Sequence, residues 1–180
     1  MTSSPDLAAG RRYAELAISG ADLSGSRLEG ASFLHCRFDA ITADAARWRG
    51  LSVRSTAFRS SRVTGVQLNE AVLRDVLFEE TRLDMANLRL ATLEHVTFRA
   101  CSLTEADFGD ARLSDVRFEG CRLGGATFRG ATCRSTDLRG CSLEDIDGAG
   151  GLAGATVDPV QLMELAPALA RHIGLIVRDD

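Results

Sequence analysis

The sequence predicts an all-β solenoid: short parallel strands wound into a square coil of about twenty residues per turn. Three observations carry that prediction. Large apolar residues recur at every fifth position from Ile18 to Leu143, where 24 of 26 places hold Leu, Phe, Ile, Val or Trp. Like residues recur at intervals of twenty, as Phe38, Phe58, Phe78, Phe98 and Phe118, and again as Cys101, Cys121 and Cys141. No insertion or deletion breaks the frame across about 130 residues. A helix repeats its apolar side chains at three or four and a half-buried strand at two, so a period of five belongs to neither.

Each element follows from the pentad. The N-terminal dozen residues fit poorly: Tyr13 falls in frame, but Arg11 would then take an inward place. From Ala21 to Cys141 a second inward residue sits two places before each large one, and it is mostly Ala, Cys, Val, Thr or Ser. The other three places are mostly Arg, Asp, Glu, Ser, Thr and Gly and face water. Gly recurs just before the small residue, as at Gly25 and Gly65, where a turn with positive φ is cheap for Gly. Four extended pieces and four turns close one coil. Residues twenty apart then stack at the strand spacing of about 4.8 Å, and roughly six and a half coils make a rod about 31 Å long.

The period stops near Asp145, and Leu152 and Val157 restore two five-spaced apolar places in a shifted frame. Asp158-Pro159 is an N-cap and first-turn pair. Val160, Leu162, Met163, Leu165, Ala166, Leu169 and Ile173 then give an apolar helical face that ends at Gly174. Pro167 should kink or split that helix, and Leu175-Ile176-Val177 reads as a short strand. The expected organisation is an N-terminal cap or flexible segment over 1–15, the β-helix over 16–157, and a C-terminal helix and tail over 158–180.

The units "ADLSG", "ADFGD", "ARLSD" and "ATFRG" resemble the A(D/N)LXX repeats of pentapeptide-repeat proteins. The resemblance spans about Leu16 to Asp145 and implies a right-handed quadrilateral parallel β-helix. An unbroken coil with a C-terminal capping and dimerisation helix resembles the MfpA-type branch of that family. Those are fluoroquinolone-resistance proteins that bind DNA gyrase by imitating DNA. The loops that interrupt the Qnr branch have no room in a frame that never slips. The resemblance therefore implies a DNA-mimicking modulator of DNA gyrase or topoisomerase with quinolone-resistance-type activity. It also implies a homodimer joined through Leu162, Met163, Leu165, Leu169 and Ile173; capping and pairing are compatible, because an isologous contact reuses one patch.

Composition narrows the function classes. There are 25 acidic residues against 21 basic ones, every base is Arg, and the net charge is −4. That balance argues against direct binding of nucleic acid or anionic lipid. No apolar run approaches the roughly 20 residues that span a bilayer. The first residues lack the apolar core of a secretory signal, and five Cys without close pairing suit a reducing cytoplasm. The Cys101, Cys121, Cys141 ladder is the most enzyme-like feature, yet all five Cys fall at inward places interchangeable with Ala, Val and Thr. His35 and His95 share one outward ladder but lie three coils apart, about 14 Å by strand spacing, too far to share a metal. The chain reads as a non-enzyme that needs no cofactor or metal.

Binding through the outer walls remains. The face whose pentads begin at Ala21 carries Asp22, Asp44, Asp84, Glu105, Glu144 and Asp145 against Arg62, Arg82 and Arg122, and the other three faces are near neutral. That acidic face is the expected partner-binding surface if gyrase is the partner. Duplex DNA carries one charge per about 1.7 Å, far denser than this face. A rigid protein-interaction scaffold with a different partner explains the charge balance equally well.

Overall fold

The computed structural model describes residues 6–178; the outermost parts of the expected N-terminal segment and C-terminal tail lie outside the described residues. The chain is a parallel β-solenoid of about seven turns closed by one C-terminal helix. Pairing begins at Arg12–Ala14, which lies in register beneath Ser32–Leu34, just before the frame becomes regular.

Stacking at twenty holds along the whole rod. Phe38, Phe58, Phe78, Phe98 and Phe118 are successive register partners. Their rings stack at centroid separations of 4.7, 4.9, 5.0 and 4.9 Å and lie within 10° of parallel. The strand spacing sets that separation, so the backbone ladder and the aromatic contacts reinforce each other. Phe108 and Phe128 form a second stack at 4.9 Å, and Tyr13 covers Phe33 at 5.1 Å at the start of the rod. The core is one continuous file of buried apolar side chains from Ile18 to Leu165.

Every fifth residue from Gly10 to Asp145 has positive φ, and 18 of these 28 corner residues are not Gly. The corners are of two kinds. After the first and second faces the turn is closed by an i to i+3 bond, as Ser26 N–H to Leu23 O at 3.0 Å and Ala31 N–H to Leu28 O at 3.0 Å. After the third and fourth faces the turn lacks such a bond except at the last coil, where the Cys141 N–H reaches Leu138 O at 3.2 Å, and two strands, Ser52–Arg59 and Val72–Glu79, run straight through the third corner.

At the C-terminal end the frame shifts by one residue: Ala155–Thr156 pairs with Thr136–Asp137 at an offset of nineteen. A short 3-10 turn, Ala149–Leu152, takes up the difference. There Gly151 lies so close to the coil below that a Cβ would collide with the Phe128 carbonyl oxygen.

Helix α1 spans Pro159–Ile173, with Asp158 and Gln161 forming a reciprocal capping box. The Gln161 and Gly140 backbone N–H groups hold the Asp158 carboxyl below the usual carboxylate range. The cap it forms therefore persists above that range and is lost only as pH falls through the lowered value. Of the two outcomes expected of Pro167, a kink or a split, the split does not occur: α1 runs through it unbroken. It stands on the exposed side of the helix, as does Met163, whose carbonyl loses its helical donor to the ring. Leu175-Ile176-Val177 is also not a strand: it is exposed, and the Leu175 N–H turns back to Ala170 O at 2.9 Å instead of joining a ladder.

Candidate functional site

With the interior filled, the walls are what the molecule offers. On the first face one outward row stacks Asp22, Thr42, Arg62, Arg82, Ser102, Arg122 and Ser142 in register. The row beside it holds Asp44, Asp84 and Glu144, and the corner row holds Glu105 and Asp145. The structure thus brings all six expected carboxylates to one wall, but it interleaves them with Arg. Asp44 pairs with Arg62 at 2.8 Å. Asp84 pairs with Arg82 at 3.7 Å and also accepts the Thr104 N–H at 3.0 Å. The Ser24 hydroxyl and N–H hold the Asp22 carboxyl below its usual range. Glu105, Glu144 and Asp145 are exposed, and no Arg lies within ion-pair distance of them among the described residues.

The fourth face is a ladder of alternating sign, Asp39, Arg59, Glu79, Arg99, Glu119 and Arg139. Its middle is one connected chain: Arg59 to Glu79 at 3.1 Å, Glu79 to Arg99 at 3.3 Å, Arg99 to Glu119 at 2.7 Å. Such half-exposed pairs contribute little stability singly, but they leave the wall without net charge. On the second face Gln67 and Asn87 join amide to amide at 3.0 Å. His35 and His95 stand in the third-face corner row with Ser55 and Asp75 between them, as their separation in sequence requires.

The two kinds of corner explain the thiols. Columns that follow closed corners hold Ala at most levels, because the turn bond already satisfies the N–H of the inward residue. Columns that follow open corners hold Cys, Thr, Ser and Val. Where the next coil supplies a hydroxyl, the N–H points to it: Cys36 N–H donates to Thr56 Oγ1 and Ile41 N–H to Ser61 Oγ, both at 3.2 Å. The same side chains donate back to carbonyls below. The Cys121 thiol reaches Phe98 O and the Cys141 thiol reaches Phe118 O, each at 3.2 Å.

Cys101, Cys121 and Cys141 therefore do a backbone-satisfying job. The hydrogen bond between Cys101 and Cys121 favours ionisation at Cys101 and pushes Cys121 up to about 12. The Cys121 contact likewise raises Cys141. Cys121 and Cys141, held protonated in this way, are poor nucleophiles and metal ligands. Among the described residues no group of three or more His, Cys, Asp or Glu is placed to hold a metal. Cys121→Ala should cost about 1–3 kcal/mol, because it strips a buried N–H of its acceptor, whereas Cys121→Ser should cost less than half as much. Urea unfolding of the two variants compares them directly; equal losses would mean that the thiol only fills space.

Helix α1 splits its apolar residues between two directions. Leu165 is buried and Leu169 half-buried against the last coil, so both face their own chain. Leu162, Met163 and Ile173 are 51, 74 and 68% exposed, and Val160, Leu175, Ile176 and Val177 extend the uncovered apolar surface. The expected pairing surface is therefore two surfaces, only one of them outward.

A family model for the pentapeptide repeat region matches residues 82–147. No curated protein is matched. Among solved structures the chain is similar to a trypsin-treated variant of QnrB1, a plasmid-mediated fluoroquinolone resistance protein. Identity is 22%, with 95% of this chain and 93% of that chain covered and a TM-score of 0.41. It is also similar to HetL, a pentapeptide repeat protein involved in heterocyst differentiation regulation from the cyanobacterium Nostoc. There identity is 20%, coverage 81% and 86%, and the TM-score 0.42.

Proposed function

We propose that this chain, a pentapeptide-repeat β-helix, works without catalysis as a rigid rod that binds another protein through its walls. The observation that supports this is how completely the inside is used. Among the described residues every buried side-chain nitrogen and oxygen has a hydrogen-bond partner, and the thiols are bound to backbone. Recognition is left to the outer rows. Among the described residues no helix is long and apolar enough to cross a membrane.

DNA gyrase is the partner to test first, on the resemblance of the repeats and on one observation. Glu105, Glu144 and Asp145 form an exposed acidic run along the first wall toward the C-terminal end. In a supercoiling assay with and without a fluoroquinolone, the protein should inhibit or protect gyrase at micromolar concentration. Reversing Glu105, Glu144 and Asp145 to Lys should weaken the effect about tenfold or more. No effect of the wild type removes gyrase and leaves the rod in search of another partner.

A second copy is the proposed occupant of the outward face of α1, through Leu162, Met163 and Ile173. The exposed apolar residues Val160, Leu162, Met163, Ile173, Leu175, Ile176 and Val177 support it. Light scattering should show a dimer that Met163→Arg with Ile173→Arg converts to a monomer without loss of thermal stability. Leu169→Arg should instead unseat the cap. A monomeric wild type rules this contact out.

A further inference from the structure

Corner residues with positive φ are strained when they are not Gly. The eighteen non-Gly corners are Glu, Asp, Ser, His and Ala, with two exceptions: Met85 and Leu90. Both are large and apolar, and both are more than half exposed, at 53 and 56%. They are also consecutive corners, standing at the two edges of the second face in the middle of the rod. Neither packs on the core, and a Gly at either place would relieve the backbone. Their position has a cost and no structural return.

The surroundings give the patch a sign. Leu90 sits between Glu70 and Asp110 in its corner row, and Met85 lies below Glu105 in its own. Asp107 adds a fourth carboxylate. Arg49 pairs with Glu70 at 2.7 Å, and Arg89 pairs with Asp110 at 2.7 Å and with Asp107 at 3.6 Å, so two Arg share three of the four acids and Glu105 has no Arg within ion-pair distance among the described residues. The rim side chains turn away from the apolar tips, Glu105 over Gly125 and Asp110 over Gly130. Between the two tips lie only Asn87 and Arg89 as outward side chains.

We infer that Met85 and Leu90 are paired apolar anchors of a docking patch whose carboxylate rim selects a basic amphipathic segment of a partner protein. The inference rests on the reading of the chain as a protein-binding rod and specifies where and what it binds. Two anchors one coil-side apart fit two apolar residues on one face of a helix, and the rim fits Lys or Arg flanking them.

The test uses the full chain and two synthetic helical peptides, one of Leu and Lys and one of Leu and Glu, followed by titration calorimetry. The Leu/Lys peptide should bind and weaken with rising salt, and the Leu/Glu peptide should not. The Met85→Gly, Leu90→Gly double variant should bind at least tenfold more weakly, with a thermal midpoint equal to or above that of the wild type. Binding undiminished in the double variant overturns the patch but leaves a protein-binding rod. Failure of the Leu/Lys peptide to bind overturns the patch alone, since the gyrase assay reads supercoiling and turns also on Glu144 and Asp145, which lie outside the patch. A lowered midpoint in the double variant also overturns it, by showing that the two residues are structural.

Discussion

Phe78→Ala is expected to remove about 4–5 kcal/mol of stability, read as a drop in the urea midpoint with the slope unchanged. Phe78 is the central ring of five, stacked on Phe58 at 4.9 Å and Phe98 at 5.0 Å, and it is buried. Truncating a buried Phe leaves a cavity worth about 3–5 kcal/mol, and this ring also loses an aromatic partner on each side, about 0.5–1.5 kcal/mol each. The backbone ladder on either side is fixed by register, so the neighbouring coils cannot close the gap. Native domains have about 5–15 kcal/mol in all, so one substitution leaves the rod marginal. Phe78→Leu should recover more than half of the loss. A deficit below about 2 kcal/mol for the alanine variant would mean that the column does not act as a continuous support.

Gln161→Leu is expected to cost about 3 kcal/mol, concentrated at one end. Gln161 is 2% exposed. Its Nε2 donates to Leu138 O and to Cys141 O, the latter at 2.8 Å, and its Oε1 accepts the Asp158 N–H at 2.8 Å. A parallel coil ends in unpaired backbone groups, and this one side chain, from inside α1, stops Cys141 O and adds a second donor to Leu138 O, which also accepts the Cys141 N–H at 3.2 Å. Leucine fills the space but leaves buried polar groups without partners, at about 1–3 kcal/mol each. Hydrogen exchange should accelerate at Asp137–Asp147 while the middle of the rod stays protected. Gln161→Glu should be as harmful at neutral pH, because a carboxylate cannot donate. Its deficit should shrink as pH falls and the buried acid takes up a proton. Uniform acceleration along the rod in Gln161→Leu would show that the cap is not a separate unit.

The coil was legible in the sequence because one repeat unit does one job at every level: the five-spaced Leu and Phe residues and the twenty-spaced Phe38 to Phe118 series set strand length, corner and stacking together. What escaped was the difference between corners. Sorting the small inward residues by column rather than pooling them separates the Ala-rich columns from those with Cys36, Thr56, Ser61, Thr81, Cys101, Cys121, Thr136 and Cys141. The signal was present at period twenty and invisible at period five. The C-terminal helix was legible in its caps, Asp158 and Gly174, but not in its orientation. Leu165 and Ile173 are equally apolar in sequence, and only packing against the last coil tells them apart. Of the six carboxylates placed on one wall, position followed from numbering alone. Their pairing with Arg62 and Arg82 did not, because it depends on which side chain leans up and which leans down.

The alternating ladder on the fourth wall gives the molecule a parity. Excising one revolution, residues 60–79, would leave Arg59 directly beneath Arg99, and duplicating one would likewise set equal signs on neighbouring rungs, an arrangement that repels. Adding or removing two revolutions keeps plus above minus throughout. The rod can thus be lengthened or shortened smoothly only in steps of forty residues, although its backbone repeats every twenty.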